Sequence, residues 1–139
     1  MPAIKDEARQ QTEAGATAFV LFWFDLLNWS LATNDVDALA PYTNGGCSQC
    51  NGWLIGISRR KDEGALLKGG LTAPLTLAIG PFSPTEPVVF RADYLNTAGV
   101  VTGPDSSAAS YPSAQTSGTL TVVWGTNGWQ MAAVELVNE

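Results

Sequence analysis

Cys47 and Cys50 stand as C-x-x-C in the stretch GGCSQCNGW, residues 45–53, of a chain that contains no histidine. That combination limits the chemistry at once. Without an imidazole there is no Ser-His or Cys-His nucleophile system. Two cysteines with no second C-x-x-C cannot complete a four-coordinate zinc site, so no metal is expected. No cofactor is expected either: Gly69-Gly70 reads as a helix-to-strand break rather than half of a phosphate cradle. The cysteines are then a structural disulfide, reduced thiols or a catalytic dithiol. A redox C-x-x-C opens a helix after a strand, where the helix N-terminus lowers the thiol pKa. The helix-like run from Trp53 to Arg60 suits that role, but no βαβ pattern flanks it, and the balance falls to the disulfide. A bridge across so short a loop contributes only about 2 kcal/mol through chain entropy, enough to pin a turn. It also implies an oxidising compartment.

The remaining groups able to move a proton are carboxylates. Asp25, Asp93 and Glu135 are the eligible acids, with Asn28 or Tyr94 as donors to a developing oxyanion. Asp25 and Asn28 are three residues apart, so they share a side of any helix, either pointing into a cavity or facing solvent at a seam. Acid–base work by Asp25 needs desolvation among Phe22, Trp23 and Trp29 to raise its pKa. A ligand pocket would draw on Asp25, Asn28, Trp29, Tyr94 and Trp124. The five tryptophans are read mainly as core, with Trp53, beside the cysteines, as the one expected to be exposed.

These residues need elements to position them. The run ATAFVLFWFDLLNWSLATNDVDAL, residues 16–39, predicts a helix over 16–33, stopped at Asn34-Asp35, then a short helix from Val36 to Leu39. Phe19, Phe22, Trp23, Leu26, Leu27 and Ser30 make one face, while Leu21, Phe24, Asp25, Asn28 and Trp29 fill much of the rest. A helix this apolar has nearly the length of a membrane span. A central Asp costs about 2.5–3.5 kcal/mol in a bilayer, which favours a buried soluble helix wrapped by a curved sheet. From Gly70 the pattern turns to strands: Leu75–Ile79, Val88–Asn96, Gly118–Trp124 and Trp129–Val137. Residues 80–87 and 103–118 read as loops. Asn127-Gly128 reads as the hairpin turn. Parity then puts Leu120, Val122 and Trp124 on one face with Trp129, Met131, Ala133 and Glu135, which lands Glu135 in or beside the core. Arg91 and Asp93 share the solvent face of their strand. The fold class is α+β: a long N-terminal helix and short helices packed in a curved antiparallel sheet of four to six strands. Residues 1–11 read as a polar linker and 12–139 as a single domain.

Composition agrees with a globular chain of 139 residues, 45% of them apolar and 14% charged. Its net charge of −6 argues against nucleic acid or an anionic membrane surface as a partner. The cations Arg59, Arg60 and Lys61 sit beside Asp62 and Glu63 and read as a solvated helix end. The polar start Met1-Pro2-Ala3-Ile4-Lys5-Asp6 resembles a chain trimmed of an export segment.

The aromatic run AFVLFWFDLLNWSLATNDVDAL, the CSQC pair and the KGG entry to the strands together resemble an uncharacterised family of actinobacterial lipoproteins, over residues 12 to about 72. The hairpin WGTNGW is a weaker echo. The resemblance implies a nuclear transport factor two-like cone, a Cys47–Cys50 disulfide, and an exported domain tethered through a lipidated cysteine that this chain lacks. It implies no reaction. The expected function is a non-catalytic extracytoplasmic module for a small apolar ligand or an envelope or foreign protein. The alternative is a small isomerase- or dehydratase-like enzyme using Asp25 or Glu135. Cones of this kind often dimerise through the outer sheet face, where Arg91 or Asp93 would sit.

Overall fold

The structure, a computed structural model, describes residues 1–105 and 108–137. Its first long element is α1, Glu13–Thr33. Thr12 opens it by accepting the Gly15 N–H on its hydroxyl at 3.0 Å, satisfying one of the orphan donors of the first turn. Asn34 closes it in the left-handed conformation, φ 60°, which asparagine tolerates better than most residues. Its side-chain amide donates to the Ala65 carbonyl at 2.7 Å, tying the helix end to the start of the sheets. By length and composition α1 could cross a membrane, yet 61% of that apolar stretch is buried within this fold. Phe19, Val20, Trp23, Phe24, Leu26 and Leu27 are all sealed from solvent. The apolar ring predicted around the helix is therefore covered on more than one side.

The expected short helix at Val36–Leu39 is instead a turn, held by Asp35 Oδ1 accepting the Asp37 N–H. It passes into a 3-10 helix at Ala40–Tyr42. The second helix, α2, spans Ser48–Glu63 and ends at Gly64, whose φ of 67° suits a residue without a Cβ.

Seven strands follow: β1 Leu66–Gly69, β2 Thr72–Ile79, β3 Val88–Asn96, β4 Gly99–Thr102, β5 Ala108–Tyr111, β6 Ala114–Gly125 and β7 Gly128–Val137. They form two antiparallel sheets, β2-β3-β6-β7 and β1-β4-β5. The segment read as a loop over 103–118 in fact contains β5 and the start of β6, while Ser106 and Ser107 lie outside the described residues. Its alanines, serines and glutamine carry little strand propensity. Backbone pairing of Val100 with Ser110 and of Tyr94 with Thr116 makes the strands, and neither pairing is visible locally.

The inner face of β3 presents buried Val88, Phe90, Ala92 and Tyr94, as the alternation predicts. Leu120 and Val122 of β6 continue the layer. On β7 the predicted parity fails. The register runs Val122↔Met131 and then Thr121↔Ala133, so Ala132 is an extra residue. A bulge flips every later side chain. Val134 turns inward, and Glu135 is exposed on the outer surface rather than beside the core. Just beyond the bulge, a Cβ on Gly118 would run into the Glu135 carbonyl, so glycine is needed where β7 closes on β6. The hairpin turn is also shifted by one: Gly125 pairs with Gly128, leaving Thr126-Asn127 as the loop and Gly128 carrying φ 102°.

Residues before α1 dock onto the domain. A 3-10 helix, Asp6–Arg9, buries Ala8, and the Gln10 carbonyl accepts the Trp129 indole N–H at 2.8 Å.

Candidate functional site

The concave side of the sheet is filled. Trp23 and Phe24 meet edge-on with centroids 5.2 Å apart, and Phe24 lies 5.6 Å from Tyr94. None of the three carboxylates proposed from sequence points inward. Asp25 is exposed on α1, Glu135 on β7, and Asp93 is half-buried on the outer face of β3. Asn28, three residues beyond Asp25, faces elsewhere. Its amide donates to the Thr72 carbonyl at 2.8 Å and accepts the Thr72 N–H at 2.9 Å, so it pairs with β2 as another strand would. Trp29 beside it is half-buried. The paired polar groups on α1 are a structural clamp, not an acid with its donor.

Tyr94 is the one pocket candidate that does reach the interior. It is 1% exposed, and burial pushes its phenol well above the ordinary value, because the tyrosinate would lose its water. Among the described residues its hydroxyl has no hydrogen-bond partner. Such a phenol stays neutral, and among the described residues no group is hydrogen-bonded to it to take its proton.

The cysteines form a disulfide, Cys47–Cys50, with Cα atoms 5.2 Å apart. Cys47 Sγ accepts the Cys50 N–H at 3.2 Å and caps α2. Both residues are buried, at 1% and 0% exposure, whereas thiols that exchange electrons with partners are partly exposed. The pair holds a turn. Next to it the Asn44 N–H donates to the Met131 carbonyl at 2.8 Å, and Trp23 Nε1 reaches Thr43 Oγ1 at 3.2 Å. These two bonds fasten the segment entering α2 to β7 and to α1, and the bridge pins the turn that follows. Trp53, expected to be exposed, is half-buried with its ring 5.9 Å from Trp23. Arg60 also departs from the solvated reading of its run. It is half-buried, and burial lowers its guanidinium below the ordinary value, with Tyr111 opposing the shift.

The outer face of the β2-β3-β6-β7 sheet is where polar groups converge. One cross-strand row runs Ala78, Arg91, Thr119, Glu135; the next runs Thr76, Asp93, Ser117. Thr76 Oγ1 donates to Asp93 Oδ2 at 2.7 Å and fixes that carboxylate. Between the rows lies a shallow hollow of about 410 Å³, floored by Ala92 and Gly118. Arg91 and Glu135 flank Thr119 on either side, about 10 Å apart across two strand spacings. Arg91 and Asp93 were legible from the alternation of β3. Glu135 was not, since its place in the row depends on the bulge at Ala132. Trp124, the last pocket candidate, lies elsewhere, half-buried at the hairpin end against Trp129 at 5.2 Å.

A family model for a family of unknown function, DUF6318, matches residues 1–135. The chain belongs to DUF6318. No curated protein matches this DUF6318 chain. Among solved structures it is similar to the intermembrane space region of chloroplast protein ARC6, at 10% identity and a TM-score of 0.67, covering 94% of this chain and 99% of that one. It is also similar to the association domain of CaMKII from C. elegans, at 8% identity and a TM-score of 0.54, covering 93% and 100%. A third likeness is to an uncharacterised protein with a cystatin-like fold from Caulobacter vibrioides, at 13% identity and a TM-score of 0.54, covering 89% and 91%. At such identities the likeness is one of fold: this is an α+β cone of the nuclear transport factor two-like kind.

Proposed function

We propose that this DUF6318 chain is a non-catalytic extracytoplasmic binding module, the soluble domain of a cell-envelope lipoprotein, that assembles as two copies through its outer sheet face. The observation carrying the reading is the row Arg91–Thr119–Glu135. A two-fold axis laid along β6 over Thr119 sets Arg91 of one copy opposite Glu135 of the other, and does so twice. Small side chains between and around the charges (Thr119 between them, Ala78 and Ala133 beside them) allow the two sheets to approach to the ordinary spacing of about 10 Å. The packed interior supports a non-catalytic role, because among the described residues no carboxylate is buried there. The buried disulfide supports an oxidising compartment. The likeness to a region from an intermembrane space and to an association domain fits both parts of the reading.

Sedimentation equilibrium tests it. The wild type is expected to dimerise, Arg91→Glu to weaken the dimer at least roughly tenfold, and Arg91→Glu mixed with Glu135→Arg to restore it by charge exchange. A wild type that stays monomeric at about 1 mM removes the self-assembly. A dimer indifferent to both substitutions moves the interface elsewhere. Membrane fractionation of the protein expressed from its full gene checks the envelope location separately.

A further inference from the structure

A second surface, at the hairpin end of the cone, is independent of the Arg91–Glu135 row. Trp124 lies five residues beyond Thr119 on β6, about 17 Å along the strand. Trp124 lines two grooves. One, of about 420 Å³, also takes in Arg9, Tyr42 and Asn127. The other, of about 470 Å³, also takes in Gln11 and Glu86. The site is built by the tertiary fold. Trp129 is locked beneath Trp124 by its bond to the Gln10 carbonyl, and Gln11 Nε2 donates to the Pro84 carbonyl, joining the N-terminal segment to the 80–87 loop. Arg9, Gln11, Glu86 and Asn127 are all exposed, while Trp124 and Tyr42 are half-buried.

The chemistry of the walls selects a ligand class. An apolar ligand such as an acyl chain would strip water from Arg9, Gln11, Glu86 and Asn127 without giving them hydrogen bonds. A simple anion would find Arg9 in one groove but Glu86 in the other. A pyranose ring satisfies both kinds of wall. Its axial C–H groups form an apolar face with slight positive character, which suits the negative face of an indole. Its equatorial hydroxyls both donate and accept, matching the carboxamides of Gln11 and Asn127, the guanidinium of Arg9 and the carboxylate of Glu86. Two grooves that share one aromatic residue suit successive units of a linear chain. We infer that the Trp124 end of the cone is a two-subsite saccharide cleft, with Trp124 as the stacking platform, Asn127 and Arg9 serving one unit, and Gln11 and Glu86 serving the next.

The test is calorimetric titration and tryptophan fluorescence with three tetrasaccharides (chitotetraose, cellotetraose and mannotetraose), repeated with Trp124→Ala, Trp124→Phe, Asn127→Ala and Glu86→Ala. At least one tetrasaccharide is expected to saturate the wild type. Trp124→Ala should then weaken it by roughly tenfold or more, as loss of an aromatic anchor does, with Trp124→Phe in between. Asn127→Ala and Glu86→Ala change exposed side chains and leave folding intact, so each isolates one subsite and should weaken the tetrasaccharide several-fold. No saturation by any of the three up to about 10 mM overturns the assignment. So does binding unchanged in Trp124→Ala, or binding of a fatty acid that Trp124→Ala abolishes. Because the cleft lies away from the dimer row, a monomeric protein that still binds saccharide defeats the assembly reading alone.

Discussion

The two faces of the β2-β3-β6-β7 sheet are built from the same strands and differ in every respect that matters. Inside, Phe90, Tyr94, Leu120, Val122, Trp129 and Met131 lock against α1 at no more than 2% exposure. Outside, Ala78, Arg91 and Glu135 are small or charged and exposed, with Asp93 and Thr119 half-buried among them. The inner face has spent its surface on packing, and among the described residues no carboxylate is buried in it. The outer face carries little packing and a self-complementary charge pattern. Under the assembly proposed above, stability and recognition are separated across the thickness of one sheet, and substitutions on each side should report on one property and not the other.

The largest effect belongs to the inside. Trp23→Ala removes a fully buried ring that touches Phe24 and Trp53 and donates to Thr43, and should cost about 3–5 kcal/mol in chemical denaturation. A cost below 1 kcal/mol would mean that the interior is not the packed layer described. Opening the disulfide comes next. Cys47→Ala with Cys50→Ala is expected to lose about 2 kcal/mol, the chain-entropy value for a tight loop, measured as a lower denaturation midpoint with unchanged slope.

Tyr94 sharpens the comparison through pH. Its folded-state pKa is raised above the unfolded value of about 10, so its neutral phenol contributes fully below that pH. As pH climbs above about 10 the unfolded chain ionises first, and stability falls with each further unit. Tyr94→Phe should flatten that alkaline decline while changing stability at neutral pH by no more than about 1 kcal/mol, since the lost hydroxyl has no protein partner among the described residues. An unchanged alkaline limb would place the phenol in water. The smallest effect is outside: Glu135→Gln and Asp25→Asn should each shift stability by under about 0.5 kcal/mol, as exposed substitutions do. A loss of several kcal/mol from either would return that carboxylate to the core.

Much of this division could be read in advance. The alternation of VVFRADYLN placed Phe90 and Tyr94 inside and Arg91 and Asp93 outside, because a strand without interruption has a strict period of two. The apolar circumference of residues 16–33 predicted a helix covered on several sides, because burial is the one environment in water that suits it. Local chemistry likewise marked the helix stop at Asn34 and the short bridge between Cys47 and Cys50.

Other features depended on partners distant in sequence. Glu135 left the core because β7 carries one residue more than β6 opposite Thr121, and a bulge is a property of a pair of strands that neither strand announces alone. Strand β5 exists because β4 offers it backbone partners, not because its residues prefer extension. Asn28 became a clamp because Thr72 arrives beside it from 44 residues away. The sequence by itself determined which segments must be buried, since hydrophobic periodicity is local. Only the tertiary structure decided register, and with it which charges face each other and which indole stands at a rim, since those depend on how separate segments meet.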